Sequence, residues 1–415
     1  MIKKVKGTQD LLDMRSYDAL YKGAYQHFST AHFTHIQTPI LEHEGLFKRS
    51  VGEETDIVGK EMYTFSTNDR EVFCLRPEAT ASTMRAYLEA AITTKPWQVF
   101  SEGPMFRHER PQKGRWRQFS QFNVEAINIS SVAQDVRFIS LLDDLFTRKL
   151  RLHDYVLSIN YLGTKEDRAA HRLALKSFLD AHMAEICSTC QTRATANMLR
   201  IFDCKNEGCQ ALYTKAPYLT DHLSPTSQTA WQELQDLLGI LSISWIHNPL
   251  LVRGLDYYNN IVFEFSSPLL GAQSTFCSGG RYDLAPAFDQ KEAIPSIGAA
   301  IGMERLVLLL EAAGNPHTIP TKTPVFGILP FDESLNPLAL LAHQTLHRAG
   351  LSTDIIIGGV KKGMKKANND GIRWLILIGE QEKNEGVVRL KDMESGSEIS
   401  VSQEDLTSYA QSLIS

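Results

Sequence analysis

The sequence predicts an α/β (α+β) chain in two parts. A large antiparallel-sheet domain spans residues 1–320, interrupted by a helical insertion at about 163–246, and a small α/β domain spans 321–415. Three observations carry this. Residues 100–126, FSEGPMFRHERPQKGRWRQFSQFNVEA, read as two antiparallel strands joined by a long basic loop, because polar residues alternate with Trp116, the phenyl rings and Val124 in the second half. From about Gly163 to about Ile246 the pattern changes to helix-forming segments and a cysteine cluster. After a Pro/Thr linker, NPHTIPTKTP at 315–324, strands and helices alternate, as in a small sheet covered by helices.

Composition narrows the function. At 415 residues the chain has room for two or three domains, and 43% hydrophobic with 22% charged residues is ordinary for a globular protein. A net charge of -5 gives no general attraction to nucleic acid, so any RNA contact must come from local basic patches and be salt-sensitive. The N-terminal MIKKVKGTQDLLDMR has charges but no apolar core, so no signal peptide is expected. No run of ~18 apolar residues occurs, so no membrane span is expected and a cytoplasmic location is the default.

In order, the first helix is predicted at Ser16–Ala31, with Leu20, Ala24 and Phe28 on one face. FTHIQTPILEHEGLF reads as a short strand interrupted by Pro39. MYTF and VFCL form a hairpin with TNDR as its turn. A helix follows at Ala81–Ala91, where Glu78 and Thr80 are either N-terminal caps or acceptors for an ammonium group. The central hairpin opens with a turn at Gly103-Pro104, and its loop holds Arg107, Arg110, Lys113, Arg115 and Arg117. Guanidiniums match phosphate oxygens bidentately and keep their charge, so this face suits a polyphosphate. The guanidiniums converge with Glu109, Gln121 and Glu125 on one hairpin; the carboxylate and amide at its far end suit a smaller ligand with donors, and the site would hold two substrates side by side. Ser131 and Gln134 form a capping box for a helix that buries Val132, Val136, Ile139, Leu142 and Phe146.

Past the insertion, LVRGLDYYNNIVFEF gives a turn at Gly254 and a strand with Ile261, Phe263 and Phe265 alternating. SGGRYD reads as a glycine turn presenting Arg281 and Tyr282. IGAAIGMERLVLLL places Gly302 in a tight approach and Arg305 at the start of an apolar helix, whose N-terminus adds partial positive charge. In the last domain Lys361, Lys362, Lys365 and Lys366 share one helix face, which is either solvated or in contact with a phosphate backbone. Of six cysteines, Cys74 and Cys277 are isolated, while Cys187, Cys190, Cys204 and Cys209 fall as C-x2-C and C-x4-C. That set reads either as a structural Zn2+ site or as buried thiols.

FRHERPQKGRWRQFSQFNVE resembles motif 2 of the class II aminoacyl-tRNA synthetases, and in its wording the histidyl-tRNA synthetases. RGLDYY resembles a motif of that family and not of class II enzymes generally; FTHIQTPI is similar to motif 1, and IGAAIGMERL to motif 3. The resemblance implies a class II catalytic domain and an anticodon-binding domain, and a homodimer formed through motif 1. The implied reaction is ATP-dependent attachment of L-histidine to histidine tRNA, with Mg2+. It implies Arg253 and Arg107 as catalytic, and Arg107, Glu109, Arg115, Phe119 and Arg305 as ATP-binding. Histidine would be held by Glu78, Thr80, Gln121, Glu125, Tyr257, Tyr258 and Tyr282, and the tRNA acceptor end by Gln112 and Arg117. Ala79 and Asn123 stand where the family usually has glycine, and Ser120 where it has histidine; Asn123 is read as tolerating a glycine-like backbone. Two rivals are weighed. A synthetase-like regulatory subunit of histidine biosynthesis should lack the C-terminal domain and the RGLDYY set. Against an asparagine synthetase of the same fold stand Glu125 and Tyr258.

Overall fold

Period-2 alternation builds the sheet on which the first part of the chain rests. The computed structural model describes residues 2–53, 55–68, 71–196, 198–255, 257–315 and 325–414. It divides into two compact units, Met1–Ile319 and Pro320–Ser415. The expected TNDR turn lies partly, and the 315–324 linker almost wholly, outside the described residues, as does Asp256 of RGLDYY.

In the first unit, α1 (Arg15–Thr30) buries Leu20, Ala24 and Phe28. Pro39 falls between β1 (Thr34–His35) and β2 (Leu41–His43) and belongs to neither strand. After α2 (Glu44–Val51), the hairpin of β3 (Tyr63–Ser66) and β4 (Val72–Leu75) joins β2 in a small sheet. Then come α3 (Thr80–Glu89), β5 (Trp97–Phe106) and β6 (Gln118–Ile127). These two strands pair antiparallel without a bulge from Trp97↔Ile127 to Phe106↔Gln118. The loop is therefore 107–117, and Gly103-Pro104 is no turn; both residues sit inside β5, opposite Gln121 and Ser120. Gly103 is required there because a side chain would strike the guanidinium of Arg76, which is buried and donates to the carbonyls of Pro104 and Thr38.

Next, α4 (Val132–Asp144) buries Val136, Ile139 and Leu142, but the Ser131–Gln134 capping box does not form. The segment before α4 is instead tied to the sheet by Arg281, which pairs with Asp135 in the first turn and donates to the carbonyls of Ile129 and Ser131. Past β7 (Val156–Tyr161), the Thr164–Asp167 capping box starts α5 (Lys165–His182). With α6 (Ser188–Ala196) and α7 (Glu207–Tyr213) it forms a separate small core around Leu175, Leu179, Ile186 and Tyr213. By contrast α8 (Pro225–Ile240) buries Leu234 and Leu238 in the main core, so the helical stretch up to residue 246 serves two cores.

The chain then adds β8 (Ile246–His247), β9 (Tyr258–Ser266), β10 (Thr275–Asp283), β11 (Pro295–Gly302) and α9 (Met303–Ala312). The eight-stranded order is β1-β5-β6-β11-β10-β9-β7-β8, antiparallel from β5 to β7. SGGRYD is not a turn but the middle of β10. Its glycines lie where a Cβ would meet the backbone and rings of β9 and β11. Gly302 caps α9, and a Cβ added there would make only ordinary van der Waals contact at 3.8 Å, so no tight approach exists there. Gly302→Ala is accordingly expected to cost only the N-cap preference, about 1 kcal/mol or less, in urea denaturation.

The second unit comprises β12 (Phe326–Pro330), α10 (Asn336–Arg348), β13 (Thr353–Ile355), α11 (Val360–Asn369) and β14 (Trp374–Ile378), then α12 (Glu380–Glu385), β15 (Val387–Asp392), β16 (Glu398–Ser402) and α13 (Leu406–Ser412). The sheet order is β13-β12-β14-β15-β16. Sequence reading misses α12 and β16, which are short and polar. All four lysines of α11 are exposed, and Lys366 pairs with Asp370.

Candidate active site

Because side chains alternate across a strand, β6 points Phe119, Gln121, Asn123 and Glu125 to one face and Ser120, Phe122 and Val124 to the other. The second set meets the core and α9, where the Ser120 N–H donates to the Glu304 carboxylate at 2.8 Å. Phe119, Gln121 and Asn123 of the first set form the floor of a cleft of about 320 Å³, while Glu125 does not line it and accepts from Thr80, which does. Asn123 is a mid-strand residue opposite Ser101 and Ala300, and its φ is not positive. No glycine-like backbone is needed, contrary to the sequence reading, and Asn123 adds an amide to the floor. Its Nδ2 and the Oε1 of Gln121 are buried without hydrogen-bond partners. Orphaned polar atoms of this kind cost free energy unless a ligand meets them.

At one end stand two buried carboxylates. Glu78 accepts the backbone N–H groups of Thr80 and Ala81 at 2.7 and 2.9 Å, so it caps α3 while also lining the cleft. The capping reading of Glu78 thus holds. Glu125 accepts from the hydroxyls of Thr80 at 2.6 Å and Tyr282 at 2.7 Å. Burial raises both carboxyls above their ordinary range, Glu125 to about 8, with the neighbouring Glu78 adding to the rise. The ring of Tyr257 lies 4.7 Å from that of Tyr258 and 5.5 Å from that of Tyr282, closing this end. Glu125 needs the space that Gly298 leaves on β11: an added Cβ there would occupy the carboxylate's position. Sequence reading did not single out Gly298.

At the other end guanidiniums gather. Arg107 donates to the carbonyl of Pro77 at 2.9 Å and lies 5.3 Å from the Phe119 ring centroid. Glu109 pairs with Arg115. Arg305, in the first turn of α9, is held by the carbonyls of Gly114 and Thr275 and by Gln273. Its pKa falls to about 10, through burial first and then the charges of Arg107 and Arg115. Three cations held this close repel one another, so the site favours an anion.

Arg253 also lines the cleft, and its Nη1 donates to Glu264 Oε2 at 2.9 Å. Glu264 was missed from sequence; the signal was a carboxylate between Phe263 and Phe265 in an otherwise apolar strand. Gln112 and Arg117 do not line the cleft. Gln112 is exposed, and Arg117 braces the loop by donating to the Glu109 carbonyl at 3.2 Å. Arg281, which the glycine turn was to present, faces away and is buried against Asp135.

Elsewhere in this unit, Cys187, Cys190, Cys204 and Cys209 bring their sulfurs within 4.8 Å of one another. No helix among the described residues is long and apolar enough to cross a membrane.

This geometry has close relatives. A family model described as Histidyl-tRNA synthetase matches residues 7–306, and one described as Anticodon binding domain matches 325–413. The chain is 40% identical to the Histidine--tRNA ligase of Neisseria meningitidis, covering 98% of this chain and 97% of that one. It is 37% identical to that of Halothermothrix orenii over the whole of both chains. The crystal structure of apo S. aureus histidyl-tRNA synthetase superposes with a TM-score of 0.81 at 29% identity, over 99% of each chain. With the class II sheet, the cleft and a matched anticodon-binding domain together, the chain belongs to the histidyl-tRNA synthetase family.

Proposed function

We propose that the cleft performs the family's reaction as a histidine--tRNA ligase: histidine is activated by ATP and transferred to its tRNA. The observation that carries this is one cleft with the buried Glu78 carboxylate, Thr80, Tyr257 and Tyr258 at one end and a cluster of guanidiniums at the other, Glu125 and Tyr282 lying behind the Thr80 hydroxyl that bonds Glu125. In the first step a carboxylate oxygen of histidine attacks the α-phosphorus, the bond to the β-phosphate bridge breaks, and pyrophosphate leaves. In the second a ribose hydroxyl of the tRNA attacks the histidyl carbonyl and AMP leaves. Both first reactants are anionic, so fixed positive charge is the main requirement.

Residue roles follow the chemistry. Arg107 neutralises the α-phosphate, Arg305 and Arg115 the departing phosphates, and Arg253 holds the histidine carboxylate against the α-phosphate. Phe119 stacks on the adenine, and Glu109 fixes its polar edge. Glu78, Thr80 and Gln121 take the α-ammonium, and Glu125 with Tyr258 and Tyr282 the imidazole; Tyr257 packs behind them. Gln112 and Arg117 meet the acceptor end of the tRNA. Mg2+ enters with ATP, bound mostly by phosphate oxygens, and supplies charge neutralisation. Zinc at Cys187, Cys190, Cys204 and Cys209 is part of the same reading, away from the reaction. The chain works in the cytoplasm as a homodimer formed through the segment around Pro39. The exposed apolar side chains of Ile40 and Leu41 there support that assembly.

The test is amino-acid-dependent exchange between pyrophosphate and ATP, run with each of the twenty amino acids. Exchange with histidine alone is expected. No exchange in folded protein that still binds histidine would favour the regulatory reading instead.

A further inference from the structure

Among the described residues, the four cysteines of the insertion are the one His/Cys/Asp/Glu group with ligand atoms gathered as a metal would gather them. Four thiolates at ~2.3 Å from a tetrahedral zinc sit ~3.8 Å apart. Here the sulfurs of Cys187 and Cys204 are 3.8 Å apart, and all four lie within 4.8 Å of one another. A disulfide requires sulfurs at ~2.05 Å, and all four cysteines are free.

Two backbone N–H groups are aimed at the sulfurs. The N–H of Cys187 donates to the sulfur of Cys209 at 3.2 Å, and that of Asn206 to the sulfur of Cys204 at 3.4 Å. The Tyr213 hydroxyl is 1% exposed at the residue level and finds no oxygen or nitrogen partner, and it stands beside the sulfur of Cys190. A buried hydroxyl left so is costly, and a thiolate in front of it removes the cost.

The segment between the two cysteine pairs reaches toward the cleft. Arg193, on α6, donates to the Arg200 carbonyl at 3.0 Å and to Asp56 Oδ2 at 3.4 Å. The Arg200 guanidinium lies 4.0 Å from the same carboxylate and beside Gly254, next to Arg253. Asp56 immediately precedes Ile57, which packs with Tyr257 and Tyr282 and lines the cleft.

We propose that Cys187, Cys190, Cys204 and Cys209 hold one Zn2+, and that the ion clamps the segment bearing Arg193 and Arg200 against Asp56 at the wall of the cleft. This rests on the zinc reading given under the proposed function. Zinc is favoured by the all-sulfur tetrahedron, which leaves no open position for chemistry, so the ion is structural.

Full-length protein purified without chelator is expected to carry one zinc per chain by elemental analysis, and Co2+ exchanged into it to show thiolate-to-cobalt charge-transfer absorption. Cys204→Ser should lose the metal, whereas Cys74→Ser should keep it. Tyr213→Phe should keep the fold and weaken zinc about 10-fold, as loss of an outer-shell partner does. Zinc-free protein with four titratable thiols, or with disulfides, overturns the site. For the clamp, metal-depleted protein should exchange amide hydrogens faster at 193–200 and at 55–58, and its KM for histidine should rise several-fold with a smaller change in kcat. Loss of zinc with unchanged protection at 55–58 and unchanged KM overturns the clamp. Zinc content and amide exchange are read without any activity, so failure here and failure of the ligase reading are separable.

Discussion

Arg253→His is expected to lower histidine-dependent pyrophosphate exchange by about 10²–10³-fold, the usual loss when one fixed donor to a developing charge is removed. Arg253 leaves the turn before β9 and is oriented by Glu264, so its guanidinium is already fixed before any ligand arrives. Guanidinium keeps its charge at every working pH, whereas imidazole is mostly neutral above pH ~7 and shorter by several bonds. Two anions would then meet without the cation that holds them in attack geometry. The expected loss lies in kcat more than in KM for histidine, because Glu78, Thr80 and Glu125 still bind the amino acid. Exchange kinetics with circular dichroism as a fold control measure this. A folded Arg253→His protein with wild-type exchange would remove Arg253 from the reaction.

The same loop shows what a sequence discloses and what it hides. Strands announced by alternation, such as Ile261, Phe263 and Phe265 on β9, are found where expected, because alternation is itself the physics of a half-buried strand. Glycine is less readable. Gly103, Gly279, Gly280 and Gly298 are strand residues kept small by neighbours far away in sequence, not by turns. Residues at these positions answer to Arg76, to the rings of β9 and to Glu125, and no local pattern encodes such partners. The motifs bring most of the cleft together because each lies on a strand or helix whose register the apolar residues fix. Arg281 was misread for the opposite reason. It sits beside Tyr282 in sequence, but adjacent strand residues face opposite sides, so Tyr282 bonds Glu125 and Arg281 pairs with Asp135. Glu264 has no motif that marks it and Asn123 reads only as a glycine substitute; the folded sheet shows that both line the cleft.

Glu125 makes the second large prediction, because its carboxyl is a buried acid and, on the proposed reading, the imidazole's partner. In the folded chain without ligand, burial pushes it up to about 8 from an ordinary value of 4.5, against the lowering effect of its bonds from Thr80 and Tyr282. The folded state therefore holds this proton more tightly than the unfolded state does. Stability from that proton is fully present below pH 4.5 and is lost as pH rises through about 8. Ligand-free protein should accordingly melt at lower temperature at pH 8.5 than at pH 6, and Glu125→Gln, which cannot ionise, should flatten that slope. Histidine reverses the balance, since its ring N–H and ammonium favour the ionised carboxylate, so binding should release a proton and tighten as pH rises toward 8. Glu125→Gln keeps an acceptor oxygen but loses the charge, worth about 10- to 100-fold in KM for histidine. The variant should also lose the proton release measured by calorimetry in buffers of different ionisation enthalpy. Wild-type KM together with unchanged proton release in Glu125→Gln would assign imidazole recognition elsewhere in the cleft. A raised KM with proton release intact would assign the titrating group to Glu78.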